Sequence, residues 1–126
     1  MIDHIKLHVA DAGRSKAFYT EALAPLGYRV VMEPAAGVVG MGTRFPDFWL
    51  AQSDTPTIAH VALRAEDRAA IDAFHAAALT AGGSDNGPPG LRPQYHPGYY
   101  GAFVLDPDGN NLEAVPHTFA APAQAT

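Results

Sequence analysis

Ile58-Ala59-His60-Val61-Ala62-Leu63 restates Ile2-Asp3-His4-Ile5-Lys6-Leu7 at an offset of 56 positions, and that repetition decides how the chain folds. The same offset pairs Asp11 with Asp67, Ala17-Phe18 with Ala73-Phe74, Ala22-Leu23 with Ala78-Leu79, and Gly27 with Gly83. Two long copies are too few for a solenoid. They describe two half-size modules, about residues 1–55 and 56–119, that close one domain, because a half of roughly 60 residues buries its apolar faces poorly alone. Residues 120–126 are small and proline-containing and read as a flexible tail.

Composition narrows the function classes. A net charge of -5 without a block of like charges is no nucleic-acid footprint. The absence of cysteine excludes disulfides and thiolate ligands and suits a reducing cytoplasm. The chain opens in a strand rather than a signal peptide, and no apolar run approaches membrane-spanning length. A soluble, cytoplasmic protein is expected.

Ile5, Leu7 and Val9 alternate with His4, Lys6 and His8, which predicts a half-buried strand over 2–10. Asp11 stands where a cap would precede a helix over about 13–25, with Ala17, Phe18, Leu23 and Leu26 as its apolar stripe and Gly27 as its stop. Strands follow at Tyr28–Glu33, Gly37–Gly42 and Phe48–Gln52. Module two restarts with a strand over Ile58–Ala65, Asp67 as cap, and a helix of about 68–81 facing the sheet with Ile71, Phe74, Ala78 and Leu79. Residues 84–98, rich in Gly, Pro and Asn, predict mostly loop and a short or missing strand. Tyr99–Leu105 and Asn111–Val115 form a hairpin across the turn Asp106-Pro107-Asp108-Gly109.

The resulting pattern is βαβββ twice, an α+β fold. In Asp3-His4-Ile5, Ser15–Tyr19, His60-Val61-Ala62-Leu63 and the run from Phe103 to Glu113, the chain resembles the vicinal-oxygen-chelate superfamily. That superfamily includes glyoxalase I, extradiol dioxygenases, bleomycin-resistance proteins and fosfomycin-inactivating thiol transferases. The resemblance covers nearly the whole chain. It implies that the paired modules curl into a cupped mixed sheet around a divalent metal, with helices on the outer face.

By strand parity His4, His60 and Glu113 all point away from the apolar face of their strands. Two imidazoles and a carboxylate make a triad with open coordination positions, and the resemblance puts metal ligands at these three positions. Iron, manganese, zinc and nickel all suit it, because ligand type alone does not choose among them. For any one strand histidine, a structural or merely exposed role is the blander reading; its duplication at one strand position favours ligation.

Glyoxalase I would require a fourth ligand. Aligning Trp49-Leu50-Ala51 with Leu112-Glu113-Ala114 puts Leu50 there, and leucine cannot ligate. The extradiol signature carries a tyrosine where this chain has Phe103. The fosfomycin enzymes carry a serine-rich loop and a late arginine, both missing here. Bleomycin-resistance proteins hold their drug without a protein-bound metal.

The segment Arg92 to Tyr100 supplies a cation, an imidazole and three phenols immediately before the strand that leads to Glu113. His96 and Tyr100 are the candidate catalytic groups for proton exchange. Tyr95, Arg92, His8 and Arg64 are the candidate substrate contacts, the latter two at equivalent places in the repeat. Trp49 reads as core. The expected protein is a homodimer and a lyase/isomerase-like or dioxygenase-like enzyme acting on a small oxygen-rich molecule. The alternative is a drug- or metabolite-sequestering protein.

Overall fold

The computed structural model describes residues 1–116. The expected tail and His117 lie outside the described residues. Module one contains strand β1 (Ile5–Val9), helix α1 (Ala12–Ala22), and strands β2 (Arg29–Ala35), β3 (Val38–Gly42) and β4 (Phe48–Gln52). Module two repeats the order with β5 (His60–Ala65), α2 (Arg68–Thr80), β6 (Ser84–Leu91), β7 (Tyr100–Leu105) and β8 (Asn111–Pro116). Each module is a four-stranded mixed sheet, ordered β1-β4-β3-β2 and β5-β8-β7-β6. The first pair in each is parallel and the others antiparallel. The α+β, twofold βαβββ expectation is met.

Local chemistry explains the boundaries. Asp11 and Asp67 cap the two helices, accepting from the backbone N–H of Arg14 and Ala70. α1 stops before the expected end because Pro25 enters a 3-10 turn at Ala24–Leu26, and Gly27 (φ 85°) closes it in the left-handed region. Its buried row is Ala12, Ser15, Phe18, Tyr19 and Ala22, while Ala17 is exposed. Of the expected stripe Phe18 and Leu23 are buried and Leu26 packs against the core, Ala17 is the exception, and Tyr19 is the buried side chain it omitted. On α2, Ile71, Phe74 and Ala78 are buried as expected, but Leu79 is exposed.

The segment expected to be loop after α2 contains the eight-residue strand β6. Pro88 and Pro89 are tolerated because β6 is an edge strand, paired only with β7, and its register shifts between Asp85, Gly87 and Gly90.

A single core runs through both modules, joining Leu7, Val9, Phe18, Phe48 and Leu50 to Ile71, Phe74, Val104 and Leu112. The β7–β8 turn also locks the modules together. Asp106, buried, accepts from the Tyr19 hydroxyl, from Asn110 Nδ2 at 2.8 Å and from the backbone N–H of Asp108 and Asn110. Burial, and then the Asp106 carboxylate, push the Tyr19 phenol well above its usual range. Asp108 accepts from Arg14 Nη2 (3.2 Å), Ser15 Oγ (3.4 Å) and the N–H of Ala10 (3.2 Å). No helix among the described residues is long and apolar enough to cross a membrane.

Candidate functional site

His60 opens β5, and Glu113 is the third residue of β8. In the parallel β5–β8 register Glu113 lies beside Ala62, two residues and hence one full pleat beyond His60. The small Ala62 leaves room for the two side chains to meet, and His60 Nε2 stands 2.7 Å from Glu113 Oε1. The Glu113 side chain is 4% exposed and that of His60 56%, so a sealed carboxyl group sits behind a half-open imidazole ring. On β7, the antiparallel neighbour of β8, Phe103 pairs with Glu113, and its ring lies 6.2 Å from that of His60.

The strand registers correct the expected counterpart of Glu113 in module one. His4 and His60 are equivalent, so Lys6 is equivalent to Ala62; Lys6 pairs with Trp49, as Ala62 pairs with Glu113. Leu50 pairs with Leu7 and is completely buried, as Ala114 pairs with Leu63 and is completely buried. Leu50 is a core residue beneath α1, and the position equivalent to Glu113 belongs to Trp49. Trp49 is half-buried rather than core, and its indole lies over Gly40, where a Cβ would stand 2.8 Å from two ring carbons.

His4 immediately precedes β1, its side chain 54% exposed and its Nδ1 2.6 Å from Asp3 Oδ1. It lines a cleft of about 360 Å³ between the β1 and β5 edges, together with Ile5, Tyr28, Asp47, His60 and Leu63. Burial, then the Asp47 carboxylate, raise the Tyr28 phenol, which therefore stays protonated and able to donate. Although His4 and His60 share the cleft, no three His, Cys, Asp or Glu among the described residues are grouped closely enough to hold a metal. His60 and Glu113 come together within the chain; His4 does not complete a triad with them.

The remaining candidates divide between two regions. The His8 N–H donates to Thr57 Oγ1 and the His8 carbonyl accepts from the Thr57 N–H, and Arg64 lines a separate hollow with Leu26, Tyr28 and Thr43. Arg92 is beside the site, its guanidinium 5.5 Å over the Phe103 ring and its Nη2 donating to Pro88 O at 2.7 Å. Tyr95 is 58% exposed and touches the Tyr99 ring edge-on at 4.9 Å, as His96 does at 4.9 Å. Tyr100 is turned to the helix side, donating to Asp72 Oδ1 at 2.6 Å under the Arg68 guanidinium. Its phenol is accordingly raised, chiefly by the Asp72 hydrogen bond.

The residue that reaches the carboxylate is Tyr99, whose hydroxyl donates to Glu113 Oε2. Sequence reasoning passed over it, although a usable signal was present. Counting back across the hairpin from the Phe103–Glu113 pair puts Tyr99 on the face of Glu113 and Tyr100 on the opposite one.

Residues 1–114 match the sequence model described as Glyoxalase/Bleomycin resistance protein/Dioxygenase superfamily. A glyoxalase/bleomycin resistance protein from Albidiferax ferrireducens T118 is similar at 29% identity and TM-score 0.77, over 91% of this chain and 97% of that one. TioX from Micromonospora sp. ML1 shares the fold at 17% identity and TM-score 0.72, covering 93% of this chain and 98% of its own. A lactoylglutathione lyase from Agrobacterium tumefaciens does so at 19% identity and TM-score 0.67, covering 93% of each. No curated protein matches the chain.

Proposed function

The chain belongs to the glyoxalase/bleomycin resistance protein/dioxygenase superfamily, and from that premise we propose that it is a metal-dependent enzyme acting on a small oxygen-rich metabolite. His60 and Glu113 would hold a divalent iron, manganese, zinc or nickel ion, with His4 as the third ligand. The observation that carries this reading is the sealed Glu113 carboxylate, 2.7 Å from Nε2 of the half-exposed His60 side chain. A buried carboxylate is costly unless its charge is matched, and an imidazole–carboxylate donor pair suits a borderline divalent cation.

A bound ion would supply Lewis acidity toward oxygens of the substrate. The chain's own residues do the rest. The cleft is of a size for a small molecule, and Ile5, Phe48, Val61 and Leu63 give it apolar walls. The Tyr28 hydroxyl, hydrogen-bonded to Asp47, gives the cleft a polar edge, while Arg92 and His96 flank the side of Glu113. The reaction is lyase/isomerase-like or dioxygenase-like.

The partner is a second copy of the chain. The exposed Ile2, Phe45 and Ile58 are apolar surface for it, and His4 of one copy would meet His60 and Glu113 of the other. Mixing His4→Ala protein with Glu113→Ala protein tests this. Each alone should lose tight metal binding, and the mixture should regain one site per mixed dimer. Recovery of no sites from a verified mixed dimer rejects the shared arrangement. Wild-type binding no tighter than that of the variants rejects the metal site.

The apolar lining of the cleft favours a second reading, sequestration of a drug or metabolite without turnover. It predicts ligand binding that survives chelation.

A further inference from the structure

Glu113 has both carboxylate oxygens engaged, and they are engaged by different partners. Oε1 faces His60 Nε2 and Oε2 receives the Tyr99 hydroxyl. We propose that Tyr99 is a positioning residue: by occupying Oε2 it fixes the rotation of the carboxylate and presents Oε1 toward the His60 side. The inference rests on the metal reading of the same site.

The local build of Tyr99 supports a dedicated placement. It lies one residue before β7, on the face shared by Gly101, Phe103 and Glu113. To reach Glu113 the ring crosses Gly101, where a Cβ would stand only 3.3 Å from Tyr99 Cε1. A side chain there would crowd the ring. Tyr95 and His96 hold the ring edge-on from outside, at interplanar angles of 69° and 76°. The backbone is tied as well: Tyr99 N–H donates to His96 O at 3.1 Å, and Arg92 N–H donates to Tyr99 O at 2.6 Å. The phenol is therefore carried on a braced loop, with its one proton committed to one carboxylate oxygen.

The chemistry of a ligating carboxylate gives this bond its use. A free carboxylate rotates between one-oxygen and two-oxygen presentation, and an outer hydrogen bond removes that freedom. The O–H to carboxylate bond is charge-assisted and strong. It also satisfies an oxygen that would otherwise be buried without a partner. The segment from Arg92 to Tyr99 thereby acts on the site through Glu113.

Tyr99→Phe separates this role from packing, since phenylalanine keeps the contacts with Tyr95, His96 and Gly101 and loses only the hydroxyl. Zn²⁺ and Co²⁺ affinity of the full chain is measured by competition with a chromophoric chelator, alongside the unfolding midpoint of the metal-free protein. The expected result is affinity of the folded protein weakened by roughly tenfold to a hundredfold, a metal-free midpoint lowered by a few degrees because Oε2 loses its donor, and a similar affinity loss in Tyr99→Ala. Tyr99→Phe binding within about twofold of wild type, with Glu113→Gln losing the metal, overturns the positioning role and leaves the metal site standing. Wild-type protein that binds neither ion removes the metal site and this role together.

Discussion

Lys6 and Trp49 stand side by side in module one where Ala62 and Glu113 stand in module two. The residues that alternate with them remain interchangeable: Ile5 with Val61, Leu7 with Leu63, Phe48 with Leu112, Leu50 with Ala114. The duplicated scaffold has kept its apolar face, where volume and burial constrain the choice, and diverged on the other. There module two has a small residue and a charge, and module one a long cation and an indole lying over Gly40. Only the histidine is common to both. One module therefore brings a carboxylate and an imidazole together, while the other covers the same strand face with an indole.

The comparison breaks first if Leu50 is not core. Leu50→Ala should cost about 3 to 4 kcal/mol in urea unfolding and leave metal affinity unchanged; a stable variant with altered metal binding would put Leu50 on the face of Glu113 instead of in the core. Next in size is the lock between modules. Asp106→Ala strands the buried Tyr19 hydroxyl and Asn110 amide, and should cost about 3 kcal/mol by the same measurement.

At the outward-facing pair, Glu113→Gln should weaken Zn²⁺ binding by roughly a hundredfold or more, beyond the loss typical of an outer partner, whereas Trp49→Phe should leave it unchanged. The double substitution Lys6→Ala with Trp49→Glu gives module one the outward residue types of module two. Beside His4 the new carboxylate should join the same site and tighten Zn²⁺ binding, with the ion count per chain unchanged by metal analysis after gel filtration; an unchanged affinity means that the two faces differ by more than these residues.

The smallest effect concerns the ties between each helix and its neighbouring strand, Lys16 to Glu33 in module one and His75 to Asp85 in module two, both at 2.9 Å. The hydrogen bond from His75, then that from Gly87 N–H, hold Asp85 below its ordinary 3.8. A carboxylate lowered on folding stabilises the fold above the unfolded value and loses that contribution as pH falls through the folded one. The thermal midpoints of wild type and Asp85→Asn should therefore differ slightly at pH 7 and converge below 3.8.

Periodicity revealed the fold because burial acts on every second strand residue and on one helix row, which a single sequence displays directly. It failed at β6, where two prolines suggested loop and the bulged edge of a sheet accommodated them. It also misjudged Leu50, because aligning two short strands by residue type ignores the hydrogen-bond register that fixes which side chain faces which way. His60 and Glu113 were legible from parity together with the family resemblance. Tyr99 was not, since a chain of three nearby tyrosines offers no preference until the hairpin register is counted.

The turn from Asp106 to Gly109 has a further consequence in time. Its carboxylates bind groups of α1 and the end of β1 that lie 87 to 98 residues earlier in the chain. Contacts at such separation close large loops and form late. Strand β8 starts just after that turn, so Glu113 and the groups that tie the turn to α1 come from one late stretch of the chain. During synthesis the Tyr19 hydroxyl waits without its acceptor until nearly the whole chain has emerged. A chain that stops short of Asp106 has neither the Glu113 carboxylate nor the core residues Leu112 and Ala114.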